Sequence, residues 1–254
     1  MKIGAQMYSL RKYAQNEADL GRSLEKVAKM GYKVVQLSGF GPIEPKKVKA
    51  LCDANGLEIA LTHNAENKFQ NVDALIEEHQ IYQCKYIGLG SMPDRYRCAE
   101  WVDYFKEDFE KPIQKIHDAG MLFMYHNHSF EFEHLANGQT IMDKLLSFFP
   151  ADYMGITADT YWLQHAGVDL YDWLEAHADR MPCMHLKDMA VVRDVSRFGS
   201  IGSGNINFKK VLDILSKNGV TQYALVEQDD SFELPAFACM ADSIAYIRSL
   251  GYQD

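Results

Sequence analysis

Short apolar runs alternate with longer amphipathic ones along the whole chain, and this limits what it can fold into. The run "IGAQMY" from Ile3 has the length of a strand. Behind it, "ADLGRSLEKVAKMGY" carries apolar residues at helical spacing up to Gly31, where a helix C-terminus favours glycine. The same pair recurs as "KVVQLSG" with "EPKKVKALCDANG", "LEIALTH" with "VDALIEEHQIYQC", and "KYIGLGS" with "CAEWVDYFKEDFEKPIQKIHDAG". It continues as "LFMYHNH" with "TIMDKLLSFF", then "YMGITADTYW" with "LYDWLEAHAD". "PCMHLKD" is followed by a loop and "NFKKVLDILSKNG", and "YALVEQD" by "PAFACMADSIAYIRSLG". Eight strand–helix units in 254 residues predict a parallel sheet with helices outside, closed into a (β/α)8 barrel. The competing open, doubly wound sheet usually carries a glycine-rich first turn, whereas "SLRKYAQ" follows the first strand here. No linker or composition break interrupts the pattern, so a single domain is expected over residues 1–254.

The bulk composition narrows the function. With 47% apolar and 24% charged residues the chain reads as an ordinary soluble globular protein. Its net charge of −9, with no basic run, disfavours nucleic acid and anionic membrane as partners. Five cysteines without Cys-x-x-Cys spacing point to a reducing compartment rather than a disulfide framework or a structural zinc site. The first residues lack the apolar core of a signal peptide and no window approaches a membrane span, so a cytoplasmic location is expected. The glycosylation sequon at Asn127 is accordingly read as chance.

In a barrel of this kind the chemistry gathers at the C-terminal ends of the strands. The first strand ends in Gln6 and Tyr8, the second in Gln36 and Ser38, and the third in His63 and Asn64. The fifth ends in His126, Asn127 and His128, with Glu131 just beyond, and the sixth in Asp159. The seventh gives His185, Lys187 and Asp188, the eighth Glu227, Gln228 and Asp229. Alone, His185 reads as a hydrogen-bonded core histidine, Asp159 as a helix cap and Glu227 as a salt-bridge partner. Together on three neighbouring strands they read as a metal site, with a donor set suited to Mn²⁺, Zn²⁺, Co²⁺ or Fe²⁺ rather than Ca²⁺. "GSIGSGN" around Gly202 resembles a phosphate cradle but lacks the context of a P-loop or dinucleotide fingerprint. Trp101, Tyr104, Phe105 and Phe109 recur at helical spacing and read as helix packing, whereas Trp162, just after Asp159, could stack on a sugar face.

The segments "YHNHSFEF", "ADTYWLQHAG", "MHLKD", "IGSGNINFKKVL" and "ALVEQD" resemble, in order and spacing, the xylose isomerase-like TIM-barrel family of sugar phosphate isomerases and epimerases. The resemblance covers nearly the whole chain. It implies one divalent ion, Mn, Zn, Co or Mg, held by a glutamate, an aspartate, a histidine and a second glutamate. Three of these carry over as Asp159, His185 and Glu227. The first glutamate does not, because Tyr125 and His126 stand at its place. Glu131 is the preferred substitute, since it keeps a carboxylate, and His126 is the alternative. The histidine pair of "YHNH" resembles the inosose dehydratase branch instead.

The resemblance implies an enzyme that isomerises or epimerises a keto-sugar or related polyol through an enediolate. Glu227 would be the base and His126 or His128 the acid, with His63, Trp162 and Lys187 orienting the substrate. A lyase acting on an inosose or 3-keto-glycoside is the alternative, and a sugar-binding barrel without chemistry the second. A DNA repair endonuclease would need several metals and a basic groove. The expected partner is a small-molecule sugar, with no nucleic acid or membrane, and a homo-oligomer is left open.

Overall fold

A computed structural model of the chain describes residues 1–98, 100–232 and 234–252. Among them, eight parallel strands close into a barrel in the order β1-β10-β7-β6-β5-β4-β3-β2. These are β1 (Lys2–Gln6), β2 (Val34–Leu37), β3 (Glu58–Asn64), β4 (Tyr86–Leu89), β5 (Leu122–His126), β6 (Met154–Asp159), β7 (Cys183–Leu186) and β10 (Tyr223–Val226). The barrel shuts where β1 meets β10, from Lys2 opposite Tyr223 to Ala5 opposite Val226. Strands covered on both faces read as continuous apolar runs, and every residue of β2, β4 and β6 is buried.

The helices form the outer layer. α1 (Glu17–Met30) starts where the Asn16 side chain accepts the Asp19 N–H, and ends on Gly31 at φ +102°. Its stripe of Leu20, Leu24 and Val27 faces the strands, each side chain worth about 2 kcal/mol on full burial. α2 (Pro45–Ala54), α3 (Glu66–Phe69), α4 (Val72–Tyr82), α5 (Val102–Asp118), α6 (Ile141–Phe148), α7 (Thr160–His165), α8 (Leu170–Ala176), α9 (Phe208–Asn218) and α10 (Ala236–Ser249) complete the layer. Inside the barrel, Val34, Ala60, Leu61, Tyr86, Met124, Cys183 and Leu225 form a separate packed cluster. The cavity described below opens at the C-terminal ends of the strands. No helix among the described residues is long and apolar enough to cross a membrane.

Several local expectations are corrected. The first strand stops at Gln6, because the Gln6 side chain accepts the Tyr8 N–H at 3.0 Å and a 3-10 turn follows over Met7–Tyr13. The sixth strand stops at Asp159, whose Oδ1 accepts the Tyr161 and Trp162 N–H groups and starts α7. The expected loop after "PCMHLKD" is a two-stranded hairpin, β8 (Asp188–Val192) with β9 (Val195–Gly199). It turns on Arg193 and Asp194 at φ 50° and 64°, a left-handed pair without glycine. The helix expected from Cys98 begins at Val102, and Ala99 of that stretch lies outside the described residues. Of its four aromatics, Phe105 and Phe109 stack in the core, whereas Trp101 and Tyr104 are exposed.

Candidate metal centre

Four neighbouring strands bring one polar side chain each to the mouth of the barrel. His126 ends β5, Asp159 ends β6, His185 lies on β7 and Glu227 follows β10. The register sets Asp159 opposite His185, and His185 opposite Leu225 two residues before Glu227. All four are buried, and one ligand atom from each lies within 4.8 Å of the others. His126 Nε2 is 3.2 Å from Asp159 Oδ2, and His185 Nδ1 is 2.9 Å from Glu227 Oε2 and 3.7 Å from Asp159 Oδ2. Asp159 is therefore both cap and cluster member: Oδ1 starts α7, and Oδ2 faces the histidines.

The outer hydrogen bonds fix how these rings face. His126 Nδ1 lies 2.9 Å from the Gly90 carbonyl, which can only accept, so this nitrogen carries the proton. His185 Nε2 donates to Gln36 Oε1 at 2.7 Å, leaving Nδ1 toward the carboxylates. Gln36 is aimed where the β2–β3 pairing shifts by one residue, an irregularity common beside active sites. His185 Nδ1 and Glu227 Oε2 are buried without a hydrogen bond of acceptable geometry. The Lys187 ammonium lies 2.9 Å from the same Glu227 oxygen, so that atom is ion-paired although it accepts no well-aligned hydrogen bond. Two imidazoles, each anchored through its other nitrogen, with two carboxylates fit a divalent transition ion.

Lys187 is the second organising group. Its side chain is 1% exposed, and its ammonium lies 3.0 Å from Asp159 Oδ2, 2.9 Å from Glu227 Oε2 and 3.1 Å from Asp229 Oδ1. The rings of Trp162 and Phe198 flank it at 5.7 Å. Burial alone would lower the Lys187 pKa, but the three carboxylates outweigh it and hold the amine above its ordinary value. Burial would likewise raise Asp159 and Glu227, yet the Lys187 charge keeps both well below the usual carboxylate range. Asp229 goes the other way, pushed up by burial and by the Glu227 charge. For His185, the Glu227 and Asp159 carboxylates overcome burial and bring the pKa to about 8.

The remaining expected residues divide. His63 and His128 line a cavity of about 430 Å³ together with His126, Lys187 and Glu227. The His63 ring lies 5.0 Å from His126 and 5.1 Å from His185, centroid to centroid. Burial, then the charges of His126 and Lys187, pushes His128 down to about 2, so it is a neutral imidazole at pH 7 and not the partly protonated acid expected. Glu131 is not brought to the cluster. Its Oε1 accepts the Tyr125 hydroxyl at 2.7 Å and its Oε2 the His128 N–H at 2.8 Å, so His126 stands in the place expected for it. Trp162 is not among the cavity-lining residues and instead packs on His128 and over Lys187. The glycine-rich loop does cradle an anion, but it is the chain's own Asp188, whose Oδ2 accepts the Gly202 and Gly204 N–H groups at 2.9 and 2.8 Å.

Comparison with known proteins places this barrel. A family model described as a xylose isomerase-like TIM barrel matches residues 24–250. The chain belongs to that family. No curated protein matches it significantly. A sugar phosphate isomerase/epimerase from Parabacteroides distasonis is similar in structure at 23% identity and a TM-score of 0.78, covering 98% of this chain and 93% of that one. The 3-keto-D-glucoside 4-epimerase of E. coli is similar at 18% identity and a TM-score of 0.70, over 98% and 99% of the two chains. A Bacillus anthracis protein named as the probable 3-DHS dehydratase of petrobactin synthesis is similar at 11% identity and a TM-score of 0.75, over 98% and 99%. At these identities the likeness is one of fold.

Sequence reasoning named Asp229 and Gln36 at strand ends but gave them no role in the site. Asp229 follows Glu227 by two residues on the same strand end, and that spacing was the available signal. Gln36 had none, because its partner His185 lies 149 positions away in the chain.

Proposed function

We propose that this barrel is a divalent-metal-dependent isomerase or epimerase of a keto-sugar or related polyol. The observation that carries the reading is the convergence of His126, Asp159, His185 and Glu227 beside a cavity of small-molecule size. A divalent ion held by these four residues would supply Lewis-acid polarisation of a carbonyl and its neighbouring hydroxyl, which acidifies the adjacent C–H. Glu227 lines the cavity and is kept ionised by Lys187, so it can take that proton at neutral pH and leave an enediolate. Asp229 also lines the cavity, and its raised pKa suits it to carry a proton back to the neighbouring carbon or oxygen. Lys187 directs its ammonium at three carboxylates, which makes it an organiser of the acid–base groups rather than a ligand for substrate hydroxyls.

A lyase reading has one observation in its favour. Epimerisation at one carbon by two bases needs a proton acceptor on each face of the substrate. Glu131 is engaged with Tyr125 and His128, and His126 directs its free nitrogen at Asp159, so the carboxylates lining the cavity both come from the β10 side. One base and one acid on a single side suit loss of a β-hydroxyl, with Glu227 removing the carbon-bound proton and Asp229 protonating the departing hydroxyl as water.

Incubation of Mn²⁺-loaded protein with keto-sugars, inososes and 3-keto-glycosides in D₂O separates these readings. Deuterium at the carbon beside the carbonyl, without loss of water, supports the isomerase or epimerase. An ultraviolet-absorbing enone supports the lyase. Neither outcome with any substrate leaves a sugar-binding barrel. Glu227→Gln should remove deuterium exchange and elimination alike.

A further inference from the structure

We propose that the cavity takes an uncharged polyol and rejects its phosphate ester. This names the substrate class of the site above and rests on that reading.

Barrels of this kind often hold a phosphate group in the loops after the seventh and eighth barrel strands. Both positions are already anionic here. After β7, the glycine-rich loop turns its N–H groups inward as a phosphate cradle does, and Asp188 fills it. Met189 and Ile206 donate to Asp188 Oδ1 at 2.8 and 3.3 Å, and Gly202 and Gly204 to Oδ2. After β10 the chain runs through Glu227, Asp229 and Asp230.

The cavity offers no surplus positive charge. Among the described residues lining it, Lys187 is the one lysine or arginine. Lys187 has three carboxylates within 3.1 Å of its ammonium and donates to Asp229. Asp159, Glu227 and Asp229 therefore already surround the ammonium, and a phosphate group would have to displace one of them to reach it. Arg193 and Arg197 of the hairpin line a different groove, where the Arg197 guanidinium lies over the Phe232 ring. Hydroxyl groups, in contrast, meet Ser38, Asn64 and Ser91 along the cavity wall.

The test uses matched pairs on the Mn²⁺-loaded full chain: D-ribulose with D-ribulose 5-phosphate, D-fructose with D-fructose 6-phosphate, and methyl 3-keto-glucoside with its 6-phosphate. Turnover is followed as deuterium exchange or enone formation, and binding by calorimetric titration. Like charges brought together at a binding site cost several kcal/mol, so the free sugar should exceed its ester by at least about tenfold in kcat/KM. Asp229→Asn should shrink that ratio, even as it lowers both rates. An ester that matches or beats its free sugar overturns the inference and leaves the enzyme reading standing. If no pair turns over, the enzyme reading fails and the binding arm decides the inference: tighter binding of the free sugar supports it, and tighter binding of the ester, or of neither, overturns it.

Discussion

His126 holds its Nε2 3.2 Å from Asp159 Oδ2 while its Nδ1–H donates to the Gly90 carbonyl. With Nδ1 anchored on the backbone, Nε2 is the ring nitrogen directed at the carboxylate, and a divalent ion at the centre would be held by both. His126→Ala should therefore lose most of its bound divalent metal, measured per chain by mass spectrometry after dialysis. Glu131→Gln should keep its metal, because Glu131 is bonded to Tyr125 and His128 instead. The reverse pattern would return the fifth-strand ligand to Glu131.

Removing the central ammonium gives a second test. Lys187→Met leaves Asp159, Glu227 and Asp229 facing one another without the charge that separates them. Breaking a buried charge pair from one side costs about 3–5 kcal/mol. For a chain of this length that corresponds to a fall in Tm of roughly 10 °C in chelator. Mn²⁺ should recover part of the loss, since the ion supplies positive charge to two of the same carboxylates. An unchanged Tm in chelator would mean that Lys187 does not organise the site.

Glu131 makes stability depend on pH. Burial pushes its carboxyl up to about 7 from an ordinary 4.5, against the hydrogen bonds from Tyr125 and the backbone. Between these pH values the folded chain holds a proton that the unfolded chain has released. Stability from this group thus falls as pH rises from about 4.5 through 7, by about 3 kcal/mol in all. Urea unfolding midpoints across pH 5 to 8 should show the decline in the wild type and a flatter profile in Glu131→Gln. Parallel profiles would remove Glu131 as the cause.

The parts of this molecule that were legible in its sequence are those fixed by short-range pattern. The βα alternation gave the barrel, because strand and helix periods are local properties of the chain. Asp159, His185 and Glu227 could be placed at the mouth because each ends an apolar run. The choice between His126 and Glu131 was not legible. They are five residues apart, and only the 3-10 turn at Phe130–Phe132 carries Glu131 back onto Tyr125. The β8–β9 hairpin was hidden because Arg193 and Asp194 hold its two left-handed positions without the Asn-Gly or Asp-Gly signal of such a turn. The glycine-rich loop only resembled a phosphate cradle in the sequence, because the anion it holds lies 14 residues before Gly202, on the other side of that hairpin.

That cradle supplies the last prediction. Asp188 accepts four backbone N–H groups, from Met189, Gly202, Gly204 and Ile206. Gly204 has no room for a side chain, since a Cβ there would lie 2.5 Å from Asp188 Oδ1. Asp188→Ala removes the acceptor and leaves the donors converging on an empty nest. Each buried donor left without a partner costs about 1–3 kcal/mol, so hydrogen exchange at Gly202 and Gly204 should rise sharply and the Tm should fall. Converging N–H groups bind anions, so formate or inorganic phosphate should restore part of the Tm in Asp188→Ala and do little for the wild type. Metal content should not change, because Asp188 is not one of the four converging residues. Equal anion effects on the two proteins would show that the donors scatter once Asp188 is gone, and that the carboxylate builds the nest rather than filling it.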